Sequence, residues 1–236
     1  MIIRLVSLRS VNPTRTVDAT RRKIGTSLFI QFYEVLTRSD PVEPADLIFV
    51  LAGRMERKQY ALELYWVKVA PRLLLSIGRF EVSKMHKLDA FNVDELKELV
   101  SLRDNTPAKD RSFFAHLDAS GTRFERSDLV RCSTYGEVFA LRKFLKGTAA
   151  RKVLVISTDV HLRRTALTFK TLFRDQAIEF RYSPVPSRLS FMTKHDWWAT
   201  PDNRRFVLKE FAKLIGYWLI LAMPDWVSRR LMSLDL

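Results

Sequence analysis

Apolar positions along this chain change their period several times, and each change marks an element. The near-continuous apolar runs are Ala45 to Ala52 (ADLIFVLA), Arg72 to Ile77 and Val153 to Ile156, and Ala177 to Tyr182 reads as a further strand. Short runs of this kind, bounded by turn residues, predict strands buried on both faces. Ser112 to Leu117 (SFFAHL) predicts a further strand, closed by a turn at Asp118-Ala119-Ser120-Gly121. Between these runs the spacing becomes helical. Helices are predicted over Glu56 to Val67, Val93 to Leu102 and Thr134 to Leu145, and from near Val160 or His161 through Phe173. Arg204 to Met223 predicts a long helix whose apolar face carries Phe206, Val207, Phe211, Leu214, Ile215, Trp218 and Leu221.

The ends of the chain are less regular. Residues 1–15 read as an irregular arm and Thr16 to Thr37 as a helix, stopped by Ser39-Asp40-Pro41 and Pro44. Arg79 to Leu129 outside the Val93 helix and the Ser112 strand reads as loop covering a sheet edge. Residues 187–203 read as a loop. The expected organisation is a 1–44 arm and helix, a 45–186 α/β domain, and a 187–236 loop and amphipathic helix, both flanks packing on the domain. Alternating strands and helices argue for an α/β three-layer sandwich with a mainly parallel sheet.

Composition narrows the function classes. The 236 residues are 47% hydrophobic and 11% aromatic, enough to bury a substantial core and exclude global disorder. The formal net charge is +14, which favours an anionic partner. The cations are spread along the chain, as in an arginine-rich soluble protein with no such partner. The single cysteine, Cys132, excludes an intrachain disulfide and a multi-cysteine zinc site, and reads as a small buried hydrophobe. No secretory signal is legible, because Arg4 breaks the first apolar patch. The run from Leu214 to Met223 is half of the about 20 residues a spanning helix needs. The chain is therefore expected in the cytoplasm, with the Arg204–Met223 helix as a candidate peripheral contact with the inner membrane.

In parallel sheets, ligands bind beyond the carboxyl ends of the strands. Three polar turns fall there: Gly53-Arg54, Ser76-Ile77-Gly78, and Ser157-Thr158-Asp159 leading into His161 and Arg164. His161 and Arg164 are three residues apart and share a helix face. They suit an anion or general acid–base work at a helix start. They equally suit a histidine capping its own turn beside solvated arginines. Arg54 and Arg57 repeat the three-residue step after the first strand. Thr134 and Glu137 form T-x-x-E, which reads structurally as a capping box. His195-Asp196 precedes two tryptophans and reads as a packed loop, not a metal pair. Dinucleotide, Walker, H-E-x-x-H and G-x-S-x-G motifs are absent.

Three blocks, in order, resemble the ElyC/SanA/YdcF family, a bacterial domain of largely unassigned biochemistry. They are Ala45 to Gly78 (ADLIFVLAGRMERKQYALELYWVKVAPRLLLSIG), Ser133 to Leu145 (STYGEVFALRKFL) and Val153 to Phe169 (VLVISTDVHLRRTALTF). The resemblance covers residues 45–183. It implies a Rossmann-like fold and a pocket built by Gly53, Arg57, Ser76, Gly78, Thr134, Glu137, His161 and Arg164, with His161 as the acid or base. It also implies a link to cell-envelope biogenesis and S-adenosylmethionine as a cofactor. Three functions are weighed. The first is binding or turnover of an anionic, phosphorylated or carboxylated metabolite. The second is a non-catalytic basic module for nucleic acid or an acidic membrane surface. The third is an S-adenosylmethionine-binding protein.

Overall fold

The computed structural model describes residues 27–127 and 133–232. The irregular arm, the first part of the predicted N-terminal helix, and Cys132 lie outside them. A helix over residues 27–36 (α1) precedes β1 (Leu47–Val50), α2 (Met55–Trp66), β2 (Leu73–Gly78), α3 (Val93–Asp104), β3 (Ser112–Asp118) and β4 (Gly121–Arg126). Then come α4 (Thr134–Lys146), β5 (Lys152–Ser157), α5 (Asp159–Leu172), β6 (Glu179–Pro184), α6 (Pro201–Leu221) and α7 (Asp225–Met232). The fold is α/β, with one six-stranded mixed sheet in the order β4-β3-β2-β1-β5-β6.

The pairs β1–β2, β1–β5 and β5–β6 are parallel. The pairs β2–β3 and β3–β4 are antiparallel. The 79–129 region therefore adds a hairpin to one edge, where a loop was expected after the Asp118 turn. β4 went unread because its sequence, GTRFER, offers one large apolar residue, and an edge strand with one wet face needs no more. Antiparallel β3 also brings its first residue, Ser112, opposite Gly78 at the carboxyl end of β2.

The central strands read as continuous apolar runs because both of their faces are covered. Leu47 and Phe49 of β1 pack with Val153, Val155, Val138, Leu162 and Phe169. Their neighbours Ile48 and Val50 point the other way, onto Ala61, Leu62, Leu75 and Leu99. Each such side chain contributes about 1.5–3 kcal/mol on full burial. A third cluster joins Tyr33 and Leu36 of α1 to Val160, Met192, Trp197 and Val207. It fastens the described part of the N-terminal segment, the 187–200 loop and α6 to the start of α5. Tyr33 adds a hydrogen bond from its hydroxyl to Asp159 Oδ2, 2.5 Å.

Two of the shifted boundaries have a local reason. β6 begins at Glu179, paired with Lys152, and ends at Pro184 opposite Ser157. As an edge strand it accommodates a residue without an N–H. α6 begins at Pro201, behind Thr200, whose hydroxyl caps Asn203 N. The inward face of α6 also differs from expectation. Val207 and Glu210 are buried, whereas Ile215 and Trp218 are exposed. No helix among the described residues is long and apolar enough to cross a membrane.

Candidate functional site

β1 has β2, the next strand in the chain, on one side and β5, reached from β4 through α4, on the other, so the connections run to opposite sides of it. A crevice opens outside the carboxyl ends of strands at such a reversal. There the structure has a cavity of about 1080 Å³. Gly53, Arg57, Gly78, Thr134, Glu137, His161 and Arg164 all line it. Ser76 does not. It is fully buried one residue short of the opening, with its hydroxyl out of ordinary hydrogen-bond geometry. That hydroxyl still helps hold the nearby Glu137 carboxyl down.

His161 is the centre of the arrangement. Its Nδ1 lies 3.2 Å from Arg57 Nη2, and its Nε2 lies 3.0 Å from Thr134 Oγ1 and 3.1 Å from Arg164 Nη2. A guanidinium only donates and one faces each ring nitrogen, so a neutral ring accepts either from Arg57 at Nδ1 or from Arg164 at Nε2 and carries its single proton on the other nitrogen. Burial, then the charges of Arg164, Arg57 and Lys213, holds the His161 pKa well below the ordinary 6.5. The imidazole is therefore neutral at physiological pH. Of the two expected roles, acid and base, a neutral ring supports base or hydrogen-bond donor.

The two arginines are 4% and 5% exposed. Arg57 donates to Ala52 O at 2.5 Å and to Thr158 Oγ1 at 3.0 Å. Arg164 donates to Thr134 Oγ1 at 2.6 Å and to Glu210 Oε2 at 2.7 Å, and lies over the Tyr217 ring. The Nε of each finds no acceptor among the described residues. Arg164 thus has a structural duty that its spacing did not reveal. Glu210 accepts from Lys213 as well, at 3.0 Å. Burial pushes Glu210 up, but Arg164 and Lys213 together outweigh it and hold the carboxyl below its usual range.

The T-x-x-E reading is corrected. Ser133 is the cap of α4, its hydroxyl accepting from Gly136 N at 3.1 Å. Thr134 sits one position inside the helix, which frees its hydroxyl for His161 and Arg164. Glu137 reaches across to β1 and accepts from Ala52 N at 2.7 Å. Burial pushes its pKa up, against the pull of Ser76, the Ala52 N–H and Arg57.

Glu81 was not legible as a site residue. Its Oε1 accepts from Gly53 N at 2.5 Å, and its Oε2 pairs with the fully buried Lys58. Both glycines serve this packing. Gly53 has φ +127°, and a Cβ there would lie 3.1 Å from Arg57 Nη1. A Cβ on Gly78 would lie 2.9 Å from Glu81 Oε1. Carboxylates therefore already occupy the amides of the Ala52-Gly53 turn, and an incoming anion meets guanidinium, ammonium and imidazole groups instead. Glu210 was missed too, although an acid on the inner face of an apolar helix is a sequence-level signal.

Compared with family models, with curated proteins and with solved structures, the chain finds no match. The site's chemistry has to be read from its own atoms. Its lining holds seven cations, Arg54, Arg57, Arg79, Lys84, Lys87, Arg164 and Lys213, against four carboxylates. Each carboxylate is engaged: Glu56 by Arg54, Glu81 by Gly53 and Lys58, Glu137 by Ala52, and Glu210 by Arg164 and Lys213. S-adenosylmethionine carries a sulfonium cation and a ribose that asks for an acidic acceptor. This lining does not fit it. His195 lies outside the cavity on an exposed loop, where Asp196 Oδ1 accepts from Thr193 N. Among the described residues no cluster of three or more His, Cys, Asp or Glu is placed to hold a metal ion.

Proposed function

We propose that this chain binds, and acts upon, an anionic metabolite carrying a phosphate or carboxylate, at the carboxyl edge of its sheet. One observation carries the reading. Two buried guanidiniums flank a neutral imidazole in one cavity, each retaining an Nε–H without an acceptor among the described residues. Buried charge is costly unless paired and hydrogen-bonded. Arg57 bonds only a carbonyl, a hydroxyl and the imidazole and forms no ion pair among the described residues, and a multi-oxygen anion supplies that countercharge. His161 donates its one ring N–H to that anion. Arg57 and Arg164 hold the ring and the anion in register. Lys213, more than half exposed at the mouth, guides the charge in. The three-layer, Rossmann-like reading of the domain, its likeness to the ElyC/SanA/YdcF family and a substrate from bacterial cell-envelope biogenesis belong to the same proposal. The last rests on the sequence resemblance alone.

The test is titration calorimetry of the full chain with inorganic phosphate, pyrophosphate and a panel of phosphorylated and carboxylated metabolites. Saturable binding is expected, weakened about tenfold or more in His161→Ala, because hydrogen bonds to charged groups are worth about 1.5–3 kcal/mol. No heat with any anion, or equal affinity in the variant, would sink the reading.

A further inference from the structure

α6 carries its exposed apolar residues on the side facing away from the cavity. Leu208, Ile215, Trp218 and Leu219 recur at helical spacing and are 45–61% exposed. Beyond the helix end, Trp226 is 72% exposed. Large apolar groups gathered along one exposed stripe mark an interaction surface.

The borders of the stripe are cationic. Arg205, which pairs with Asp202, and Lys209 lie four residues apart along one side. On the other side lies an apolar groove of about 610 Å³, rimmed by Arg38, Arg163 and Lys170 and lined by no carboxylate. Arg163 and Lys170 are exposed and form no ion pair among the described residues. An apolar stripe between two cationic borders, with tryptophan toward one end, is the pattern of a helix lying in the plane of an anionic membrane.

We propose that this face of α6 docks on an anionic lipid surface, with the helix lying along the interface rather than crossing it. Charge complementarity selects the occupant. A second copy paired about a two-fold axis would set cationic borders near one another. Nucleic acid would use the cations and leave the stripe in water. Docking would also lay α6, whose inner side supplies Glu210 and Tyr217 to the cavity, against the headgroups. The proposal does not depend on the anion reading.

The experiment is co-sedimentation of the full chain with phosphatidylcholine vesicles and with mixed phosphatidylcholine–phosphatidylglycerol vesicles, repeated with the double variant Trp218→Asp, Leu219→Asp. The chain is expected to bind the anionic vesicles at least about tenfold more strongly than the neutral ones. The double variant should lose about tenfold or more of that binding, with its thermal midpoint and phosphate titration unchanged. Equal binding to both vesicles, no binding to either, or undiminished binding by the double variant would overturn the proposal. So would a dimer in sedimentation that the double variant dissolves. Tighter binding to duplex DNA than to anionic vesicles, unchanged in the double variant, would overturn it as well, since the cations alone would then explain the surface.

Discussion

The two sides of α6 invert the usual order of a surface helix. Its inner side buries a carboxylate, Glu210, against Arg164, while its outer side leaves Trp218 and Leu219 in water. An ordinary surface helix keeps its charges wet and its oil dry. The difference teaches where each side finds its compensation. The inner charge is compensated within the molecule, through a network running from Lys213 and Glu210 by Arg164, Thr134 and His161 to Arg57 and the Gly53 turn. Among the described residues the outer apolar stripe has no such internal partner.

Removing the inner compensation should have the largest effect. Glu210→Ala leaves Arg164 buried beside a neutral gap, and breaking a buried pair costs about 3–5 kcal/mol. Urea denaturation measures it, and Glu210→Gln, which keeps an acceptor, should lose clearly less. If Glu210→Ala were as stable as the parent, the two sides of α6 would not differ as described.

At the far end of the network, Gly53→Ala forces a side chain into φ +127° and within 3.1 Å of Arg57 Nη1. Strain of this kind costs about 1–3 kcal/mol. Displacement of Arg57 should weaken anion binding in parallel. An unchanged denaturation midpoint would show that the turn relaxes freely.

The centre of the network should respond to acid. His161 has a folded pKa below its ordinary 6.5, chiefly through burial and then the neighbouring cations. Below that pH the unfolded chain takes up a proton that the folded chain resists. Stability from this group is therefore present above about pH 6.5 and declines as pH falls, each unit of depression being worth about 1.4 kcal/mol. The raised Glu137 contributes with the opposite sign, its stabilisation present at low pH and lost as pH rises through its folded pKa. His161→Gln should flatten the acid limb between neutrality and mildly acidic pH. An identical pH profile in that variant would remove His161 from the account.

The smallest effect belongs to the outer side. Trp218→Ser should change stability in solution by no more than about 0.5 kcal/mol, because the side chain is 61% exposed. A loss of several kcal/mol would mean that Trp218 is covered within the folded chain.

The sequence showed the central strands and the strand-end location of the site, because a strand buried on both faces must be continuously apolar and the turns beyond it must be polar. It did not show strand direction, which is why β3 and its Ser112 were not placed at the cavity. The T-x-x-E spacing put the cap at Thr134, and only three dimensions show that Ser133 caps and Thr134 faces His161. Partners distant in sequence, such as Glu81 on Gly53 and Glu210 on Arg164, leave no local spacing to read. Glu210 and Lys58 did carry a signal, a charge amid apolar helical positions, and such residues call for a buried partner.

The most direct test of the central claim is an NMR titration of the His161 ring with and without inorganic phosphate or pyrophosphate, assigned by the signal that His161→Ala removes. Without anion the midpoint should lie below 6.5. With anion it should rise, because the ligand's negative charge offsets Arg57 and Arg164, so binding should tighten as pH falls. A midpoint at or above 6.5 in the free chain, unmoved by either anion, would contradict the account.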